Sequence, residues 1–245
     1  MEPLHLIDLR GDLIRQEETI IFAMIERGQF QLNTPIYQSG RIKIPEFDGC
    51  FSDYLLLETE RIHARVRRYT SPDEHPFFSE LPDPILPAID MPAKIIDTDI
   101  NINCRVRAAY HADILPAICE PGDDGHYGSS ATCDVACLQS ISKRIHFGKY
   151  VAECKYQADT AGYDALCARK DREGILEKLT NREVETAVLK RIGHKAATYG
   201  RDVDDQSTAC GLDPTIVQSI YSDYIIPLTK DVEIEYLLVR ANNNA

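Results

Sequence analysis

Apolar side chains recur at helical spacing along most of this chain, and no segment alternates with the period of a strand. Leu6, Leu9, Leu13, Ile20, Ile21 and Met24 keep that spacing through a first segment that Gly28 can end. A second helix fits about Asp53–Tyr69. The stretch SPDEHPFFSELPDPILPAIDMP is punctuated by prolines and reads as irregular. A third helix fits about Ile100–Cys119, and EPGDDGHYGSS reads as the loop after it. A long helix then covers about Ser129 to Tyr156, and Asp171–Leu179 reads as a short one. The capping-box pattern TNRE, Thr180 to Glu183, opens a helix that ends near Gly200. After the loop GRDVDDQSTACGLDP, Asp213 and Pro214 give an N-cap and first-turn signal. The last helix runs to about Arg240, with Pro227 kinking it. The pattern predicts an all-α protein, a multi-helix bundle of long helices joined by irregular loops.

Composition narrows the classes. The chain has 245 residues, enough for one large domain or two small ones with a sizeable core. Its net charge of -12 argues against a nucleic-acid partner, which needs a basic footprint. No apolar run reaches the length of a membrane span. The start, MEPLHLIDLRGDLIRQEE, enters an amphipathic pattern at once and resembles neither a signal peptide nor a transit peptide. The expected location is therefore the cytoplasm; a plastid or secreted location requires a leader already removed. Eight cysteines, at 50, 104, 119, 133, 137, 154, 167 and 210, form no CxxC pair, so a zinc site has little support. Cys133, Cys137 and Cys154 read as small buried hydrophobes, which suits a reducing compartment, although the even count also permits disulfides. No GxGxxG, P-loop, HExxH or GxSxG motif is present.

One stretch stands apart from the acidic background. CLQSISKRIHFGKYVAECKY gathers Lys143, Arg144, His146, Lys149 and Lys155 on a segment that otherwise reads as buried helix. Arg144 and Lys155 are eleven residues apart, so on one helix they lie within about 20° of each other. They are either a solvated charged face or two cations over a floor of small residues, an anion pocket on a rigid element. Gly148 favours the pocket: a glycine inside a helix costs about 1 kcal/mol relative to alanine and marks the close approach of something else. His146 and Lys149 fall on other faces and read as structural or solvated. Two more pairs, Asn181 with Glu185 and Thr229 with Glu233, are four apart and share a helix face. Spacing alone does not bring these faces together.

Several long segments carry a resemblance. LRGDLIRQEETIIFAMIERGQF, VRRYTSPDEHPFF, DDGHYGSSATCDVACLQSISKRIHFGKYVAECKY, LTNREVE and IIPLTKDVEIEYLL resemble, in order, segments of the all-helical chorismate mutases of fungi and plants. The match runs from about Leu9 to Leu238, which implies a single domain over 1–245. The resemblance implies conversion of chorismate to prephenate in phenylalanine and tyrosine biosynthesis, an intramolecular rearrangement that needs no cofactor and no metal. It implies that Arg10 and Arg144 hold the substrate carboxylates, and that Lys155 and Glu233 donate to the ether oxygen. Glu185 would accept from the ring hydroxyl, with Asn181 and Thr229 as further polar contacts. The resemblance also implies a homodimer with an effector site for tryptophan, tyrosine or phenylalanine at its interface. Arg67, Arg68, Gly128, Ser129 and Thr132 match that site, within elements at about 61–78 and 122–134. The free N–H groups at the start of the Ser129 helix suit an amino-acid carboxylate. Gly125 and His126 depart from a fungal pattern of two asparagines, the loop before Asp213 is short, and the tail VRANNNA replaces a basic end. The alternative function is that of an inactive or secreted homologue acting as a binding protein.

Overall fold

The computed structural model describes residues 4–89, 94–199 and 212–242. It is an all-α multi-helix bundle. The helices are α1 (Leu6–Gly28), α2 (Phe51–Arg65), α3 (Asn103–Ala109), α4 (Leu115–Ile118), α5 (Tyr127–His146), α6 (Gly148–Ala158), α7 (Thr160–Ala168), α8 (Arg172–Leu179), α9 (Arg182–Thr198), α10 (Pro214–Ile220) and α11 (Ile226–Asn242). Apart from one isolated bridge between Ile44 and Phe47, the described residues hold no β-structure.

The element boundaries have local causes. α1 begins and ends where the apolar pattern does. α2 stops short of the expected Tyr69, because Arg67 takes a left-handed conformation (φ +66°) before a 3₁₀ turn at Arg68–Thr70. The proline-rich segment is irregular, as expected. The long basic helix begins two residues early, at Tyr127, and is divided at Phe147. Phe147 keeps right-handed dihedrals (φ -60°, ψ -16°), and Tyr150 N–H bonds back three residues to its carbonyl at 3.0 Å. The joint is thus a tightened turn, and α6 carries on from α5. The cap of α9 is Asn181, one residue after the expected Thr180; its Oδ1 accepts from Val184 N–H at 3.1 Å. α7 escaped the sequence reading: it is short, contains Gly162, and starts on Asp159, whose Oδ1 accepts from Gly162 N–H at 3.0 Å. α10 starts on Asp213 and Pro214 as expected. Most of the expected loop before it, with Cys210, lies outside the described residues, as does the end of the tail.

Two prolines sit inside helical runs without ending them. A π turn at Tyr110–Ile114 precedes Pro116, and another at Tyr221–Ile225 precedes Pro227. In each, an N–H bonds back five residues, from Leu115 to Tyr110 and from Ile226 to Tyr221. The wider turn makes room for a ring that would otherwise clash with the preceding turn.

Buried side chains form two apolar clusters. One gathers Ile20, Ile21 and Met24 of α1, Leu56 of α2, the inner face of α5, Ile192 of α9 and Leu228 and Val232 of α11. The other gathers Leu9, Phe147, Ala152, Tyr163, Ile175 and the later residues Ile234, Tyr236 and Leu237 of α11. α1, α11 and the α5–α6 run therefore pass from one cluster to the other. Polar staples fix these elements. Arg27 and Asp134, both with side chains fully buried, pair at 2.7 Å, and Tyr110 also donates to Asp134 at 2.7 Å. Removing one partner of such a pair costs about 3–5 kcal/mol. Glu17, almost fully buried on α1, accepts from Arg191 at 2.6 and 2.9 Å and from Lys195 at 3.2 Å, which docks α9 on α1.

Glu60 anchors the irregular segment after α2. It is fully buried and accepts the backbone N–H groups of Phe77 and Phe78 at 2.8–3.1 Å. Burial pushes its carboxyl up from 4.5 to about 7, against the pull of those N–H groups. A raised carboxyl contributes stability that is present below about pH 4.5 and is lost as pH rises through about 7. Glu60→Gln keeps an acceptor for the N–H groups and removes the titration. Between pH 5 and pH 8 the parent should lose on the order of 2 kcal/mol relative to this variant, read from urea unfolding midpoints. Equal pH dependence of the two proteins would show that Glu60 does not titrate in this way.

Candidate active site

The α5–α6 run and α11 bring Arg144, Lys155, Thr229 and Glu233 toward one place. Arg144 lies in the last turn of α5, Gly148 opens α6 one turn later, and Lys155 lies two turns further on. α11 crosses at the glycine. A methyl group at Gly148 would sit 3.0 Å from both Cγ2 and the carbonyl oxygen of Thr229, and 3.3 Å from Cγ of Glu233. The close approach inferred from Gly148 is thus that of Thr229 and Glu233. The crossing also sets Glu233 against Lys155, whose Nζ donates to Glu233 Oε2 at 2.9 Å.

Each polar group has a definite state. Lys155 Nζ also donates to the carbonyl of Leu179, at the end of α8, at 3.0 Å. An ammonium has three donors, so one remains. Arg144 is 8% exposed, yet its Nε and Nη1 have no hydrogen-bond partner. Buried donors left unmatched cost about 1–3 kcal/mol each, more when charged. Such a cost persists where a site is built for an acceptor that arrives from outside. Beside Arg144 is Tyr221, fully buried, its hydroxyl also unpartnered. Burial pushes that phenol up, while the charge of Arg144 acts in the opposite sense.

Thr229 donates its hydroxyl to the Ile225 carbonyl at 2.6 Å, one turn back, so its oxygen is free only to accept. Asn181 spends its Oδ1 on the cap of α9 and keeps its amide donors. Glu185, one turn into α9, pairs with Lys230 of α11 at 2.7 Å. Arg10 is exposed on α1 and shares no ion pair or hydrogen bond with the other six among the described residues. The structure therefore joins Lys155, Glu233, Thr229 and Gly148 directly, and sets Arg144 one turn away. It links Glu185 to α11 through Lys230. It leaves Arg10 apart on a neighbouring helix. Sequence reasoning missed Lys230 and the Leu179 carbonyl. Lys230 sits beside Thr229 in the quoted IIPLTKDVEIEYLL, but its partner is 45 residues back, beyond any local spacing rule.

The other bases of the stretch are structural. His146 is fully buried; its Nε2 accepts from Ile102 N–H at 3.0 Å, and Nδ1 lies 2.9 Å from the Ser142 carbonyl. Burial pushes it down to about 3, so it is neutral and donates from Nδ1. Lys149 is buried 2.7 Å from His75 Nε2, and burial pulls it down to about 8. Lys143 pairs with Glu74 at 2.7 Å.

The residues matched to an effector site divide into two groups. Arg68 donates to Glu74 at 2.7 Å and to Gln139 at 2.8 Å, while Arg67 donates to the Pro87 carbonyl. Gly128, Ser129 and Thr132 are exposed in the first turns of α5, and no side chain caps that terminus. Gln139 is seven residues beyond Thr132, about 10 Å along the helix. Within one chain the two groups do not meet.

The arrangement is a helix crossing at which the cations Arg144 and Lys155 lie near the Glu233 carboxyl group, with Glu185 tied to α11 through Lys230. The family model described as "Chorismate mutase type II" matches residues 126–234, which hold the α5–α6 run, Glu185, Thr229 and Glu233. The chorismate mutase of Emericella nidulans is 49% identical over 247 residues, covering 97% of this chain and 92% of the relative. The chain belongs to the type II chorismate mutases. Solved structures agree with the fold. The Candida albicans chorismate mutase Aro7p, in complex with L-Trp, is 43% identical with a TM-score of 0.92, covering 97% of this chain and 92% of that one. AtCM1 with tyrosine bound in its allosteric site is 42% identical with a TM-score of 0.89, covering 97% and 96%. The enzyme is thus an isomerase that converts chorismate to prephenate.

Proposed function

We propose that Arg10, Arg144, Lys155, Asn181, Glu185, Thr229 and Glu233 form the site of this rearrangement. The observation that carries the proposal is the buried guanidinium of Arg144 with two unmatched donors. Chorismate is a flexible dicarboxylate whose carbon–oxygen ether bond breaks as a carbon–carbon bond forms within the same molecule. The protein's first task is to hold the reactive chair, which converts binding energy into orientation. Arg144 takes one carboxylate, satisfying its donors through a planar fork. Arg10 takes the other. The second task is to stabilise partial negative charge on the ether oxygen as the bond opens. The remaining donor of Lys155 serves this, held in direction by the Leu179 carbonyl and Glu233. Glu233 is the second donor. Glu185 accepts from the ring hydroxyl, and the amide donors of Asn181 and the hydroxyl oxygen of Thr229 complete the contacts.

We propose further that the enzyme is a homodimer whose interface carries an effector site for aromatic amino acids. Two observations support this: Arg67 and Arg68 do not meet Gly128, Ser129 and Thr132 within one chain, and exposed Ile62, Val66 and Ile85 lie near the arginines. A second copy would unite the two groups and cover the apolar face. The tryptophan and tyrosine bound in the two solved relatives support the ligand class. A cytoplasmic location is the accompanying proposal. It is supported by seven free cysteines among the described residues, and a disulfide found in the purified native protein would overturn it.

Arg144→Ala should leave the fold intact and reduce kcat/KM by about 30- to 1000-fold, the equivalent of about 2–4 kcal/mol. Near-normal kcat/KM from the loss of chorismate absorbance would remove Arg144 from the site.

Glu233 can donate to the ether oxygen only when protonated, because an ionised carboxylate only accepts. Glu233→Gln supplies a permanent N–H donor and should keep most of the turnover, whereas Glu233→Ala supplies none and should lower kcat by about 100-fold. Equal losses in the two variants would exclude Glu233 as a donor to the ether oxygen.

If the interface site operates, tryptophan should activate and tyrosine or phenylalanine inhibit, each binding one quaternary state better than the other. Arg68→Ala should abolish the response, read as initial rate against effector concentration. A flat response in the parent would show that these residues do not regulate.

A further inference from the structure

We propose that Lys230 is a positioning residue for the rearrangement: its ammonium, 2.7 Å from Glu185 Oε1, holds that carboxylate where the substrate's ring hydroxyl must find it. The inference rests on the role assigned above to Glu185. Glu185 stands one turn inside α9, after the Asn181 cap; its own N–H bonds to the Asn181 carbonyl at 3.0 Å. Its backbone is fixed, but its side chain is only partly buried, with 29% exposure. Among the described residues α9 is docked on α10 and, through Glu17, on α1, and it packs little against α11 itself. That packing fixes the α9 backbone against the helical run that continues into α11, but it leaves the direction of the partly exposed Glu185 carboxylate unset. Lys230 sets it. It follows Thr229 directly on α11, one turn before Glu233, so its stem starts from the same turn that defines the crossing.

The magnitudes favour a role beyond stability. A solvent-accessible ion pair of this kind contributes about 1 kcal/mol or less to folding. Orientation is worth more, since a misplacement of about 1 Å at a reacting constellation can cost about 100-fold. A carboxylate oxygen that accepts from Lys230 still accepts from a hydroxyl, because two oxygens offer about four acceptor sites. The lysine therefore orients Glu185 without consuming it.

The test compares Lys230→Met, Lys230→Arg, Glu185→Ala, which removes the acceptor, and the double variant Lys230→Met/Glu185→Ala. The substrates are chorismate and a chorismate O-methylated at the ring hydroxyl, which has no proton to donate. Lys230→Met should lower kcat/KM for chorismate by about 10- to 100-fold, chiefly through KM, because the hydroxyl contact exists in the ground state as well as the transition state. Lys230→Arg should restore most of that loss. The double variant should be no worse than Glu185→Ala alone, and the penalty of Lys230→Met should vanish with the O-methylated substrate. An equal penalty on both substrates, or additive losses in the double variant, would reduce Lys230 to a structural latch and overturn the inference. If Lys230→Met matches the parent while Glu185→Ala is impaired, the inference alone fails. If Glu185→Ala matches the parent on chorismate, the assignment of Glu185 fails and the inference falls with it. Urea unfolding of each variant confirms that it is folded under assay conditions.

Discussion

The site depends on how closely α11 can approach the joint between α5 and α6. At Gly148 a methyl group would lie 3.0 Å from Thr229 and would fit only if its neighbours gave way by a few tenths of an ångström. Because the backbones come so near, Glu233 on the next turn of α11 meets Lys155 on α6 at 2.9 Å. A larger residue at 148 would push the helices apart and separate this pair. The apolar packing is arranged around the same point. α11 gives Leu228 and Val232 to one buried cluster and Ile234, Tyr236 and Leu237 to the other, while Thr229 and Glu233 face the seam. Polar groups can survive at that seam because Glu233 is held by Lys155 and Thr229 by the Ile225 carbonyl.

That division of labour suits an enzyme with no covalent step to perform. The rearrangement is intramolecular, so the protein can act only through position and charge. Both require groups that do not reorganise when the substrate arrives. Lys155 is already pinned by the Leu179 carbonyl and Glu233, and Thr229 is pinned to its own helix. Arg144 is the exception in energy though not in position: it is buried, with donors unmatched, at a cost of a few kcal/mol to the fold. A dianionic substrate would remove that cost on binding.

Local signals were legible in the sequence, and long-range junctions were not. Gly148 announced a close approach because glycine in a helix is a cost with a reason, but the sequence could not say that Thr229 and Glu233 were what approached. The cysteine reading held for Cys137 and Cys154, which are buried, and less fully for Cys133, which is half-buried. Arg67 was read as helical because helix propensity carries no sign of a left-handed stop. α7 was missed because nine residues with a glycine leave too short a pattern. Four-residue spacing put Asn181 and Glu185 on one helix face, but Asn181 is the extended residue that caps α9, and Glu185 reaches across to Lys230.

The phase of the last helix was open to reading but needed a different period. Val217, Tyr221, Ile225, Thr229, Glu233 and Leu237 are all buried, at intervals of four. In a regular α-helix each such step turns the face by about 40°, so the twenty residues from Val217 to Leu237 would drift by about 200°, nearly to the opposite side. One stripe could not then face the core throughout. The π turn at Tyr221–Ile225 absorbs an extra residue, worth about 100°, and halves the drift. The extra residue falls just before Pro227, where the ring also needs a wider turn. A single local distortion thus accommodates the proline, keeps Tyr221 buried beside Arg144, and rotates Thr229 and Glu233 onto Gly148. A strict period of four followed by a proline is the sequence mark of that distortion. It means the polar pair on α11 faces the cations of α5 and α6 because the helix is irregular.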